Sequence, residues 1–140
     1  WESNAILRYV AAIAPALASP ADPRAKAHIE QWLDWQATSF TPAMRDAFWQ
    51  LYRSANPDRT VIDASVKRTE GFAAILDAHL TGRDYAVGDR FSIADIALGC
   101  AAHRWLNLPA ERIERPALRR WYDRIADRPG AAQALGEPIS

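Results

Sequence analysis

The sequence predicts an all-α chain, a helical bundle with no sheet. Three observations carry this. Apolar residues recur at three- and four-residue spacing along almost the whole chain, the period of helices that bury one face. No stretch alternates apolar and polar residues long enough to make a half-buried strand. Ser92-Ile93-Ala94-Asp95 has the form of a capping box, a start signal specific to helices.

Each element follows from its own signals. A first helix spans about Ser3 to Ile13, with Ala5, Ile6, Tyr9, Val10 and Ile13 along one side. Pro15 to Pro23 is a breaker segment rich in Ser-Pro and Asp-Pro pairs, and reads as a linker. A long helix starts near Pro23, with Asp22 as N-cap and Pro23 in the first turn. Its stripe is Ile29, Trp32, Leu33, Gln36, Ala37 and Phe40. Thr41-Pro42 interrupts it, because proline removes a backbone donor and crowds the preceding turn, so a kink or restart is expected there. Helix resumes through Met44, Ala47, Phe48, Leu51 and Tyr52 and stops at Asn56-Pro57. The next helix runs from about Asp58 to Leu80, with Ile62, Val66, Thr69, Ala73, Leu76 and Leu80 inward. Gly71 lies inside it. Glycine there costs roughly 1 kcal/mol against alanine, which predicts close packing of another helix as compensation. Thr81-Gly82 closes the helix.

After a loop from Arg83 to Phe91, the capping box opens a helix bearing Ile93, Ile96, Ala97, Cys100 and Ala101. Phe91 and Ile96 flank the box as a hydrophobic staple. The face is so apolar and small that this helix is expected to be the central one. Further helices are predicted at about Pro116 to Asp127 and Gly130 to Leu135.

Composition bounds the function. The chain has 140 residues, 49% of them hydrophobic, enough for one compact core. Lys+Arg and Asp+Glu both number 17, for a formal net charge of zero, so no charge excess points to nucleic acid or to an anionic membrane. No apolar run is long enough to span a bilayer. Cys100 is the single cysteine, which excludes an intramolecular disulfide and fits a reducing cytosol. It is expected to be a buried packing thiol. His28, His79 and His103 are widely spaced, without Cys or carboxylate partners at ligand spacing, so no metal site is expected. Trp1-Glu2-Ser3-Asn4 is not the start of a signal peptide and reads as a chain entered in mid-sequence.

Three motifs, in order, resemble the cytosolic glutathione transferases. Glu2-Ser3-x-Ala5-Ile6-x-x-Tyr9 is similar to the Glu/Gln-Ser-x-Ile-x-x-Tyr-Leu motif that closes their thioredoxin-like domain. Phe91-Ser92-Ile93-Ala94-Asp95 resembles the box and staple at the central helix of their C-terminal domain. Ile125-Ala126-Asp127-Arg128-Pro129 resembles that domain's terminal Arg-Pro turn. The segment from Trp32 to Trp49 is similar to bacterial members. The resemblance implies a glutathione-transferase C-terminal-type helical bundle. Residues 1–14 would be the last helix of a truncated thioredoxin-like domain, 15–23 a linker and 24–140 the helical domain. It also implies a cytoplasmic homodimer that binds glutathione and a hydrophobic small molecule. The catalytic residue would lie in the missing N-terminal domain, leaving this chain inactive alone. A glutathione-dependent disulfide reductase, isomerase or dehalogenase on the same scaffold, or a non-catalytic binding module, is the alternative.

The resemblance assigns sites residue by residue, and each has a simpler reading. Glu2 and Ser3 match positions that hold the γ-glutamyl group, yet any helix favours a serine cap and an early acid. Phe40, Thr41, Met44, Arg45 and Phe48 match the wall of the second-substrate pocket, and the aromatics equally suit a core. Beta-class relatives carry ionisable side chains near this point, whereas Ser39, Thr41 and Pro42 stand here, which speaks against a catalytic role. His103 lies on the pocket side in the family pattern, or is a satisfied structural histidine. Ser92 and Asp95 are read as a structural cap. Trp35, off the stripe of its helix, is the candidate for the dimer interface, and Ala97, Ala101 and Trp105 for docking the missing domain. That domain's absence predicts exposed apolar surface.

Overall fold

The structure is a computed structural model that describes residues 1–136. It is all-helical, with no strand among the described residues. Seven α-helices follow in order: α1 Ser3–Ile13, α2 Pro23–Trp35, α3 Thr41–Tyr52, α4 Arg59–Leu80, α5 Ile93–Asn107, α6 Pro116–Ala126 and α7 Pro129–Leu135. A short 3-10 turn, Pro15–Leu17, stands between α1 and α2, in the segment expected to be a linker.

Local chemistry sets the helix starts. The Asp22 carboxylate accepts from the N–H groups of Arg24 and Ala25 at 3.2 and 3.1 Å. Asp58 does the same for Thr60 and Val61 at 2.8 and 3.3 Å, so it caps α4 from outside rather than beginning it. These bonds satisfy donors that the first turn leaves orphaned. At the far end of α4, Gly82 takes the left-handed φ of 71° that helix termination favours.

The break near Pro42 takes a specific form. Helices α2 and α3 are joined by a π-helical turn, Gln36–Phe40, so the widened turn precedes the proline. Pro42 has no N–H to offer that turn, and side chains tie the region together. Gln36 Nε2 donates to Thr41 Oγ1 at 2.6 Å, and Thr38 Oγ1 donates to the Asp34 carbonyl at 2.8 Å. From α1, Asn4 Nδ2 reaches the Leu33 carbonyl at 2.9 Å. The wider turn also shifts the helical phase. Ala37, expected on the buried stripe, is exposed, while Ile29, Leu33 and Phe40 are buried.

Helix α3 packs along α4, and α5 lies against α2, α6 and α1. The central helix is α5, with Ala94, Leu98 and Ala102 completely buried. Ala97, Ala101 and Trp105 are buried there too, by this chain's own helices. Small residues on a helix face admit close neighbours, and those of α5 are α1, α2 and α6; α1 is itself the helix expected to close the thioredoxin-like domain.

Two places are left open. Helix α1 turns Asn4, Leu7 and Ala11 toward the body, leaving Ile6, Tyr9 and Ile13 more than half exposed. The helix is apolar on two sides, and the side that spacing marks is the one this chain leaves exposed. Gly71 is exposed, and a Cβ built on it meets nothing within 4 Å. No helix of this chain compensates for it.

Candidate functional site

Glu2 precedes α1 with φ 65° and ψ 110°. A non-glycine residue held there costs on the order of 1–3 kcal/mol and clusters at functional sites. Ser3 is the first residue of α1, and both side chains are exposed, with no side-chain cap. The first N–H groups of the helix thus take no side-chain cap, and a helix start is a favourable position for an anion. Asn4 turns inward to the π-helical turn. Arg8 bridges Glu30 and Asp34 at 2.6 and 3.3 Å, so α1 is fastened to α2 by polar contacts.

The segment after that turn forms one wall of a cavity of about 160 Å³, lined by Thr41, Pro42, Met44, Arg45, Phe48 and Arg104. Four of the six side chains expected in a substrate pocket, Thr41, Met44, Arg45 and Phe48, are brought together here. Phe40 is not one of them: it is fully buried and stacks on Trp35 with ring centroids 5.4 Å apart. Met44 is buried and forms the cavity floor. The guanidinium of Arg104 lies 5.0 Å over the ring of Phe48, within cation–π range. Sequence reasoning missed Arg104, because no local spacing links a position on α5 to one on α3.

His103 does not line this cavity. Its Nδ1 pairs with the Tyr122 hydroxyl at 2.7 Å and lies 3.2 Å from Asn107 Nδ2, so it is the satisfied structural histidine. Burial pushes the Tyr122 hydroxyl above its ordinary pKa, against the pull of Arg119. Trp35, expected at a dimer interface, is partly buried in an aromatic cluster with Trp32 at 5.1 Å and Phe72 at 5.9 Å.

Ser92 and Asp95 form the capping box, and the carboxylate does more than cap. Asp95 is fully buried. One oxygen accepts from the N–H and hydroxyl of Ser92 at 2.9 and 3.1 Å. The other accepts from the Ala86 N–H at 2.7 Å and the Trp121 indole at 3.0 Å. Burial raises its pKa above the ordinary carboxylate value, while these four hydrogen bonds pull it down. The box therefore ties together the incoming loop, α5 and α6.

Cys100 is exposed, against the expectation of a buried thiol. It opens with Phe91, Ile96, Leu135 and Arg128 onto a groove of about 420 Å³ between the linker, α5 and α7. The crowded walls still desolvate the thiol enough to push its pKa up, while Arg104 pulls it down. Among the described residues no group of three or more His, Cys, Asp or Glu side chains is placed to hold a metal. Among the described residues no helix is long and apolar enough to cross a membrane.

A central helix opened by a capping box, an α2–α3 pair joined through a π-helical turn and a small pocket beside that turn define a glutathione-transferase-type helical domain. The comparisons agree. The model of the glutathione S-transferase C-terminal domain matches residues 40–129. Glutathione S-transferase GstB of Escherichia coli is 34% identical over 143 residues, covering 100% of this chain and 69% of the relative. The disulfide-bond oxidoreductase YfcG of the same species is 28% identical over 135 residues, covering 96% and 62%. A theta class glutathione S-transferase from Xanthomonas axonopodis pv. citri, solved with glutathione bound, superposes with a TM-score of 0.93 at 38% identity, over 100% of this chain and 75% of that one. The chain belongs to the glutathione S-transferase family and carries its C-terminal domain.

Proposed function

We propose that this chain is the electrophile-binding and dimerisation part of a cytoplasmic glutathione transferase that joins glutathione to small hydrophobic electrophiles. Residues 1–14 close the glutathione-binding domain, 15–23 link the two, and 24–140 form the helical domain. The observation that carries the reading is the Glu2–Ser3 step. A left-handed non-glycine residue directly precedes a helix start that has no side-chain cap, and the motif match gives those positions the γ-glutamyl group. Ser3 would take its carboxylate and Glu2 its ammonium. The pocket beside α3 supplies the second substrate's place, and rate would come from holding thiolate and electrophile together.

For the homodimer, the supporting surface is the outer side of α4. There, open Gly71 lies one turn from Ile75, which is about half exposed. The disulfide-reductase alternative rests on the likeness to YfcG. The residue at the N-terminal catalytic position discriminates: cysteine favours thiol exchange, serine or tyrosine favours transfer.

Calorimetry of the full-length parent with glutathione tests the reading. Binding is expected, weakened roughly tenfold by Ser3→Ala through loss of one hydrogen bond to a charged group. This chain alone should neither bind nor conjugate glutathione. A folded parent dimer without glutathione binding would sink both enzymatic readings and leave the binding module.

A further inference from the structure

The pocket beside α3 is lined by two arginines and no acidic side chain. Six of the fifteen arginines, Arg8, Arg59, Arg68, Arg115, Arg119 and Arg124, sit in ion pairs. Arg45 and Arg104 line the pocket, and neither lies within ion-pair distance of a carboxylate among the described residues. No acidic side chain lines it. The nearest acid in sequence, Asp46, is bound by Arg68 at 2.9 Å. A chain of zero net charge thus places two guanidinium groups and no compensating charge around Met44 and Phe48.

Guanidinium groups present planar donors that match a carboxylate, and such pairs are among the stronger hydrogen bonds. The floor and wall are apolar, and Arg104 is already held in place over Phe48. The volume, about 160 Å³, is close to the roughly 150 Å³ of a dry cavity known to hold benzene. Within the transferase reading, we infer that Arg45 and Arg104 select an electrophile that carries a carboxylate on a body no larger than one aromatic ring. The ring lies on Phe48 and Met44, and the acid faces the two arginines. The glutathione thiolate, its proton released to solvent, attacks the ring carbon bearing a halogen. A C–S bond forms, the carbon–halogen bond breaks, and halide leaves with the electron pair.

The matched probes are 4-chloro-3-nitrobenzoate and its neutral amide, 4-chloro-3-nitrobenzamide. In the full-length parent, kcat/KM should favour the acid by roughly tenfold or more, and Arg45→Gln or Arg104→Gln should erase most of that ratio. Arg119→Gln, in another groove, should leave the ratio intact. High salt should narrow the preference. A parent that turns over the amide as well as the acid, or whose ratio survives both arginine variants, overturns the inference and leaves the transferase reading standing. A parent that turns over neither probe but binds the benzoate more tightly than the amide, by calorimetry without glutathione, keeps the anion site and removes the transferase. Equal or absent binding of both removes the site as well.

Discussion

The indole N–H of Trp121 donates to a carboxylate oxygen of Asp95 at 3.0 Å, with both residues fully buried. Asp95 thereby joins the start of α5 to the middle of α6, and through Ala86 to the loop between α4 and α5. Replacing it tests whether the box is only a cap. Asp95→Asn preserves shape but puts an amide N–H where the Ser92 N–H and hydroxyl now donate. Two donors then face each other in the core, and leaving buried groups unsatisfied costs about 1–3 kcal/mol each. We expect a loss in that range by chemical denaturation. Ser92→Ala should cost only about 1 kcal/mol, the usual value of a cap. Equal losses would confine Asp95 to capping, and an unchanged melting temperature in Ser92→Ala would remove the box's contribution to stability.

The pH dependence of the same pair of proteins follows from linkage. The folded pKa of Asp95 is raised by burial above its unfolded value. The folded state therefore holds its proton more tightly, and between those two values stability falls as pH rises. Asparagine has no such titration. The wild type should gain on Asp95→Asn as pH is lowered from neutrality through the raised value toward the ordinary carboxylate range. Stability of both proteins from pH 7 down to pH 4 checks this. A gap that narrows on acidification would mean that the four hydrogen bonds outweigh burial.

Gly71 offers a test of what covers α4. In this chain a Cβ at that position enters open space, so Gly71→Ala should stabilise the isolated domain by about 0.5–1 kcal/mol through helix propensity and a less free unfolded chain. If the outer face of α4 is the dimer contact, the same methyl group meets the partner and weakens association in the parent. Thermal melts of the domain and sedimentation of the parent separate the two effects. A parent dimer that tolerates Gly71→Ala unchanged would exclude this part of α4 from the interface.

How far the sequence anticipated these features depends on the distance over which the controlling chemistry acts. The starts of α2 and α5 were legible because Asp22 and the Ser92–Asp95 box act within three residues of themselves, while Asp58, read as the first residue of α4, caps it instead. The central place of α5 was legible from its small apolar face. The π-helical turn was only half legible: Pro42 signals a break, but whether the chain kinks or widens depends on Asn4, Gln36 and Thr41 around it. Helix α1 carries two apolar faces, and periodicity cannot say which one this body covers. Phe40 and Phe48 have the same composition signal, yet the widened turn sends one into the core and leaves the other at the pocket. Arg104 and Trp121 escaped because their partners, Phe48 and Asp95, lie on other helices. One signal for Trp121 was available: a buried indole needs an acceptor, and Asp95 was the acid placed in the core helix.

Cys100 gives a last and inexpensive check on the electrostatics of α5. Its exposure predicts that the folded protein reacts fully with a disulfide reagent such as 5,5′-dithiobis(2-nitrobenzoate). Its raised pKa predicts that the reaction is slow at neutral pH and accelerates past the range of an ordinary thiol, because the thiolate is the reactive form. Arg104 partly offsets the desolvation by favouring the thiolate. Arg104→Gln should therefore move the midpoint of the rate–pH profile further up and slow labelling at pH 8, without changing the extent of labelling. A midpoint that stays in place would mean that the guanidinium is screened from the sulfur. A midpoint that falls would show that burial of Cys100, rather than its exposure to the groove, depends on Arg104.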